Sequence, residues 1–179
     1  YFSTSAGVTS TDEIWGSDEA APYLRSVPCK FDEEEPWSSW IVELPWKMLE
    51  DRIREKGEGT VLRSVTVTRR SESGAATALE AVSDKDSCII ENEYEIRKFL
   101  APVNCMITEK DGTETAGGSL LPSAYFELER TQNGNLQVRG KGYGVGMSQT
   151  GADKMAEQGY DYREILDYFF RNITVENLG

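Results

Sequence analysis

The run Ser123-Ala124-Tyr125-Phe126-Glu127-Leu128-Glu129-Arg130, followed by Thr131-Gln132-Asn133-Gly134-Asn135 and then Leu136-Gln137-Val138-Arg139, decides the fold. Ala124, Phe126 and Leu128 alternate with polar residues and so share one face of a strand, and Leu136 and Val138 should join them on a second strand. All five carry even numbers, so directly opposed residues must sum to an even number. A two-residue Asn133-Gly134 turn would set Leu128 opposite Arg139 and split the apolar face. A three-residue loop, Gln132-Asn133-Gly134 with Gly134 left-handed, sets Leu128 opposite Val138, and this bulged turn is predicted. The hairpin leads through a glycine-rich stretch into two successive helices, so strands and helices do not alternate as βαβ units. That order predicts an α+β fold, mostly antiparallel, with about four to five helices.

Working backwards, Trp40-Ile41-Val42-Glu43-Leu44 reads as a short strand, and Pro45 opens a helix with Met48, Leu49 and Ile53 on one stripe and Gly57 as its stop. Val61, Val65 and Val67 alternate with polar residues, residues 69–74 turn the chain, and residues 76–82 return as a second hairpin strand. Asn92 with Glu95 suggests a capping box for a helix that ends before Pro102 and presents Ile96, Phe99 and Leu100 to the core. Forwards, a helix is expected from Ser148 to about Gln158, with Met147, Gly151, Ala152, Met155 and Ala156 inward and Gly159 as its stop. A last helix, capped by Asp161 with Glu164, buries Ile165, Leu166 and Phe169. Residues 1–179 are read as one domain, with room for a smaller lobe.

The formal net charge is −12 and there is no histidine. Such acidity opposes binding to a phosphate backbone, so no nucleic-acid partner is expected; a neutral or weakly charged polymer such as a glycan is compatible. Without histidine, proton transfer falls to carboxylates, tyrosine, lysine or cysteine, and histidine-containing metal sites are excluded. Cys29, Cys88 and Cys105 are an odd count with no metal-pair spacing. They read first as small buried residues, with one disulfide plus a free thiol left open. Asp32-Glu33-Glu34-Glu35 reads as a solvated surface turn, lacking the alternation and central glycine of a calcium loop. No run of eighteen apolar residues occurs, and the chain opens on Tyr1, so any leader or anchor would precede it.

Two stretches exceed core-and-turn logic. Residues 1–7, Tyr1-Phe2-Ser3-Thr4-Ser5-Ala6-Gly7, set hydroxyls and a glycine behind two aromatics, which suits hydrogen bonding and stacking to a neutral sugar but also a plain turn. Residues 140–149, Gly140-Lys141-Gly142-Tyr143-Gly144-Val145-Gly146-Met147-Ser148-Gln149, lack nucleotide-loop spacing and read equally as a tight strand-to-helix corner or as a ligand site.

Taken in order, residues 2–7, Trp15-Gly16, Pro22-Tyr23-Leu24-Arg25-Ser26-Val27, residues 95–100, residues 121–126, residues 142–149 and the closing Ile165-Leu166-Asp167-Tyr168-Phe169-Phe170 resemble the stage II sporulation protein D family, which shares its domain with amidase-enhancer proteins. The resemblance covers essentially the whole chain. It implies a peptidoglycan lytic transglycosylase in cell-wall remodelling, located outside the cytoplasm, with glycan strands and other cell-wall hydrolases as partners and no cofactor. Some sporulation members carry a zinc site of Cys and His; with no histidine and scattered cysteines, no metal is expected here. A single glutamate would protonate the glycosidic oxygen and then take the proton of the muramic C6 hydroxyl, giving an anhydro end; a hydrolase would need a second carboxylate. In the family that glutamate lies in an alanine-rich helix before the Phe-Ser-Thr-Ser motif. Glu13, Glu43, Glu95 and Glu127 do not match it, so the general acid is expected upstream of Tyr1 and none is assigned. Ser3, Thr4, Ser5 and Gly7 are expected to line one side of the sugar groove, and Tyr143, Gly144, Ser148 and Gln149 the other. Ser148 competes as a helix N-cap, and Trp15 and Tyr23 are candidate stacking rings. Tyr143 stands where the family usually has histidine and cannot supply an imidazolium. A non-catalytic glycan-binding module that stimulates a partner amidase is the alternative.

Overall fold

The computed structural model describes residues 4–9, 22–57, 59 and 61–176. Strand β1 (Trp40–Leu44) leads into helix α1 (Trp46–Glu55), then strands β2 (Leu62–Arg70), β3 (Ala76–Ser83) and β4 (Ser87–Glu91), helix α2 (Glu93–Phe99), strands β5 (Met106–Glu109), β6 (Glu114–Ala116), β7 (Phe126–Arg130) and β8 (Leu136–Gly140), and helices α3 (Gln149–Glu157) and α4 (Tyr162–Phe169). A five-stranded sheet runs β6-β5-β1-β8-β7 and a three-stranded sheet runs β2-β3-β4, with every pairing antiparallel. The expected α+β class holds.

One apolar core joins the two sheets. Trp40, Val42 and Leu44 from β1, Leu136 and Val138 from β8 and Phe126 from β7 meet Leu49 and Ile53 of α1, Leu79 of β3, and Ile96 and Phe99 of α2. The hairpin register is as predicted. Leu128 faces Val138, Arg130 faces Leu136, and Gly134 takes φ 81° in the three-residue loop closed between Thr131 and Asn135. A two-residue turn would have turned Leu136 and Val138 to solvent.

Local patterning erred in places. Val61 was expected inward, yet it is 52% exposed while Leu62 is buried, because the β2–β3 register shifts between Leu62 and Ser64. That bulge turns Leu62 and Val65, three residues apart, to the same face. Strand β4 carries no alternating signal in the sequence because the adjacent Ile89 and Ile90 are both apolar, although only Ile90 is buried and Ile89 is exposed. Strands β5 and β6 are only 4 and 3 residues long and too short for a period to register. At α2 only half of the capping box forms: Asn92 Oδ1 accepts from the Glu95 N–H at 3.0 Å, but the Asn92 N–H donates to the Thr77 carbonyl. At α4 the box with Asp161 and Glu164 is complete. Ala156, expected inward on α3, is exposed, and Gly151 and Met155 carry that helix's contact.

Candidate functional site

The glycine-rich stretch leaves β8 under steric constraint. Trp40 sits directly opposite Gly140 in the β1–β8 register, and a Cβ on Gly140 would lie 2.0 Å from the indole ring. The same indole donates to the Gly142 carbonyl at 2.8 Å, so a fully buried tryptophan anchors the first turn of the loop. At Gly142 the chain takes φ 70°, and a Cβ there would lie 2.7 Å from the Ala6 nitrogen and 2.8 Å from the Ser5 carbonyl carbon. This closeness lets residues 4–6 cross the loop, where Thr4 and Tyr143 form an isolated antiparallel bridge with the Tyr143 N–H donating to the Thr4 carbonyl at 2.9 Å. The described part of the first stretch, residues 4–7, and the glycine-rich stretch are therefore one structural unit. The Gly144 N–H donates to the Pro122 carbonyl, and Arg97, paired with Glu93, clamps that segment by donating to the Leu121 and Pro122 carbonyls.

Beneath the crossing lies Asp32, 1% exposed. Its carboxylate accepts from the Ser5 N–H at 2.7 Å, from Ser5 Oγ at 2.8 Å, from Ser148 Oγ, from Thr150 Oγ1 at 3.5 Å and from the Cys29 thiol at 3.6 Å. Ser148 Oγ also accepts from the Gly151 N–H at 3.0 Å and so caps α3. One carboxylate thus ties together the N-terminal stretch, the turn at residues 29–32 and the start of α3. The expectation of a solvated acidic turn is corrected at Asp32, although Glu33 and Glu34 are exposed. A run of four like charges suggested solvent; the buried hydroxyls and amide around Asp32 supply the hydrogen bonds that make burial tolerable. Cys29 is also fully buried, and burial first, then the Asp32 charge, push its thiol up to about 11. All three cysteines are free.

This geometry sorts the expected site residues. Thr4, Ser5 and Ser148 are buried, with their hydroxyls engaged on Asp32 or on each other's neighbours, Thr4 through Thr150 at 3.3 Å. Gly7 and Gln149 are exposed, Gly144 is half-buried, and Tyr143 is 45% exposed. Ser3 and Trp15 lie outside the described residues, and Tyr23 is exposed on a short 3-10 turn (Pro22–Leu24). The ring that meets Tyr143 is Trp37, with centroids 4.9 Å apart at 56°. Trp37 sits on the 3-10 turn Pro36–Ser38, held where Lys110 N–H donates to the Pro36 carbonyl. Its own sequence neighbourhood carried no signal for that partnership.

Three clefts open around the crossing. One of about 430 Å³ runs under Tyr143 and Trp37 along residues 118–122. One of about 280 Å³ is lined by Ser5, Ala6, Gly7, Glu33, Lys110 and Lys141, and another of about 280 Å³ by Ala6, Arg70, Tyr125, Glu127, Arg139 and Lys141. The last two share Ala6 and Lys141. The surface can stack a planar or ring-shaped ligand and offer amide, hydroxyl and cationic donors to it. Among the described residues no group of three or more Cys, Asp or Glu side chains is placed to hold a metal ion, and no helix is long and apolar enough to cross a membrane.

No family model matches the chain. Among curated proteins it is similar to stage II sporulation protein D of Bacillus amyloliquefaciens, 29% identical over 178 residues, and to stage II sporulation protein D of Bacillus subtilis, 27% identical over 178 residues. It is also similar to an uncharacterized protein of Brachyspira hyodysenteriae, 28% identical over 180 residues. Each match covers 98% of this chain but only 42% of the Brachyspira protein and 44% of the two Bacillus proteins, so the chain spans less than half the length of these relatives. Similarity running along nearly the entire chain agrees with the resemblance to the stage II sporulation protein D family carried by the ordered motifs, two of which meet where Thr4 bridges Tyr143.

Proposed function

We propose that this chain forms the glycan-binding part of a cell-wall protein acting in sporulation, and that the longer protein cleaves peptidoglycan strands by lytic transglycosylation outside the cytoplasm. The observation that carries the reading is the crossing of residues 4–7 over residues 142–144, fixed by Asp32 and flanked by the exposed Tyr143 ring and the half-buried Trp37 ring. Sugar faces stack on aromatic rings while their hydroxyl edges take hydrogen bonds from backbone and polar groups, and this surface supplies both. Gly7, Tyr143, Gly144 and Gln149 are the expected residues with exposed surface for direct contact, whereas Thr4, Ser5 and Ser148 hold the scaffold. The reaction needs one glutamate that first donates and then accepts a proton, followed by attack of the muramic C6 hydroxyl on the anomeric carbon. Glu33 and Glu127 are the carboxylates lining the two clefts that share Lys141. Both are exposed, and Glu127 is paired with Arg70 at 3.0 Å. Neither sits in the apolar enclosure that prepares a general acid. The family resemblance implies that the acid lies in chain preceding Tyr1 in the longer protein.

The same feature favours a second reading, a binding module that stimulates a partner cell-wall amidase without cutting glycan. Digestion of peptide-stripped peptidoglycan by the full-length protein, with products read by mass spectrometry, separates the two. Anhydro-muramic ends are the expected result. Retained glycan binding without products would transfer the proposal to the amidase-stimulating module, and absence of both binding and products would overturn each reading.

A further inference from the structure

Lys141 lies between the two clefts that flank residues 4–7, and its surroundings are unusual for so acidic a chain. The combined lining holds four cations, Arg70, Arg139, Lys110 and Lys141, against two carboxylates, Glu33 and Glu127, while the chain as a whole carries −12. Three of those cations are already engaged by carboxylates: Arg70 by Glu127 at 3.0 Å, Arg139 by Glu129 at 3.6 Å and Lys110 by Glu34 at 2.9 Å. Lys141 has no carboxylate partner among the described residues. Its backbone is nevertheless among the better-fixed parts of the surface. Its N–H donates to the Tyr125 carbonyl at 2.9 Å, its carbonyl accepts from Ser123 Oγ at 2.6 Å, and it stands between Gly140, pressed by Trp40, and Gly142, crossed by residues 5 and 6. A long flexible ammonium on a rigid mount, facing two open clefts, is a ready donor for an anionic group.

From this we infer that Lys141 centres an anion subsite that takes a carboxylate carried by the glycan. The inference rests on the glycan-binding reading above. A β-1,4 amino-sugar strand is neutral along its backbone, and its charge sits on the lactyl ether of each muramic residue. When a peptide is attached, that carboxyl is an amide and carries no charge. When the peptide has been removed, it is a free carboxylate that Lys141 can bind by a charge-assisted hydrogen bond. Acidic surface elsewhere repels the same group, so the local positive lining contributes selectivity as well as attraction. Arg70, Arg139 and Lys110 each already face a carboxylate and add to the positive field around Lys141.

The test compares binding of the full-length protein to peptide-stripped glycan strands before and after chemical amidation of their lactyl carboxylates. Lys141→Gln and Lys141→Arg variants are measured beside the native protein. The native protein should bind the untreated strands roughly three- to tenfold more tightly than the amidated ones, with the preference shrinking as salt rises. Lys141→Gln should erase the preference, and Lys141→Arg should keep it. Equal binding of both strands by the native protein would overturn the carboxylate subsite and leave the glycan reading standing. A preference that survives in Lys141→Gln would overturn the assignment to Lys141. Failure of the native protein to bind either strand would overturn the subsite together with the glycan reading on which it rests. Because the Lys141 side chain is exposed and its backbone bonds do not involve it, both variants should fold normally.

Discussion

Asp32 is the residue on which the site's shape depends. Its two oxygens accept from Ser5, Ser148, Thr150 and Cys29, so replacing one oxygen with an amide nitrogen sets a donor against donors. Asp32→Asn should cost about 2–4 kcal/mol in denaturant unfolding, whereas Glu33→Gln one position away should stay within about 0.5 kcal/mol. Equal effects would mean that Asp32 is not the tie described here. Cys29 gives a pH prediction from the same cluster. Its folded pKa of about 11 lies above the ordinary 9.0, so the folded state holds the proton more tightly than the unfolded chain. Stability from this source is fully present below pH 9 and is lost as pH rises from 9 through 11, by roughly 2–3 kcal/mol. Unfolding midpoints measured from pH 8 to 11 should fall more steeply for the native protein than for Cys29→Ala; parallel curves would refute the assignment.

Among the elements, the loop between β8 and α3 and the β7–β8 turn use glycine for different reasons, and substitution should separate them. A Cβ at Gly134 meets nothing closer than Arg130 at 3.8 Å, so Gly134→Ala suffers only from φ 81°, a cost of about 1 kcal/mol. Gly142→Ala carries a similar conformational cost and also drives a methyl into the backbone of Ser5 and Ala6. That should roughly double the loss or more and weaken glycan binding, because residues 4–6 must move. Thermal unfolding and a glycan pull-down on the two variants check this; an alanine at 142 that is no worse than one at 134 would show that the crossing is loose. The β7–β8 register was legible beforehand because two physical constraints, the parity of the apolar face and the twist of the turn, agree within seventeen contiguous residues. The β2 bulge was not legible, since nothing near Arg63 marks an inserted residue.

On the scale of the molecule, two sheets and the first two helices share one core, while α3 and α4 pack through a separate cluster of Val27, Cys29, Met155 and Phe169. Phe169 is the one residue of α4 that is buried, although Tyr168 and Ile165 lean on the cluster. Elements with little buried apolar area open at lower free energy than the core. Native-state hydrogen exchange should therefore show α4 amides exchanging through local opening, well before those of β1 and β8. Protection of α4 equal to that of β1 would mean that the molecule opens only as a whole. The opening would also reach the site, because α3 starts at Ser148 and Asp32 lies beside Cys29.

By itself the sequence determined what local physics encodes: the α+β class, the even-numbered apolar face and its three-residue loop, the helix starts at Ser148 and Asp161, and the ordered motifs that carry the family resemblance. Periodicity, turn geometry and capping each act within a few residues, so one chain suffices to read them. The tertiary structure alone decided that Asp32 is buried beneath Ser148, 116 positions away, that Thr4 and Ser148 serve as scaffold, and that Trp37 is the ring against Tyr143. Residues 32–35 look alike as a charged run, and only the approach of hydroxyls and an amide from distant segments makes one of those carboxylates an interior group.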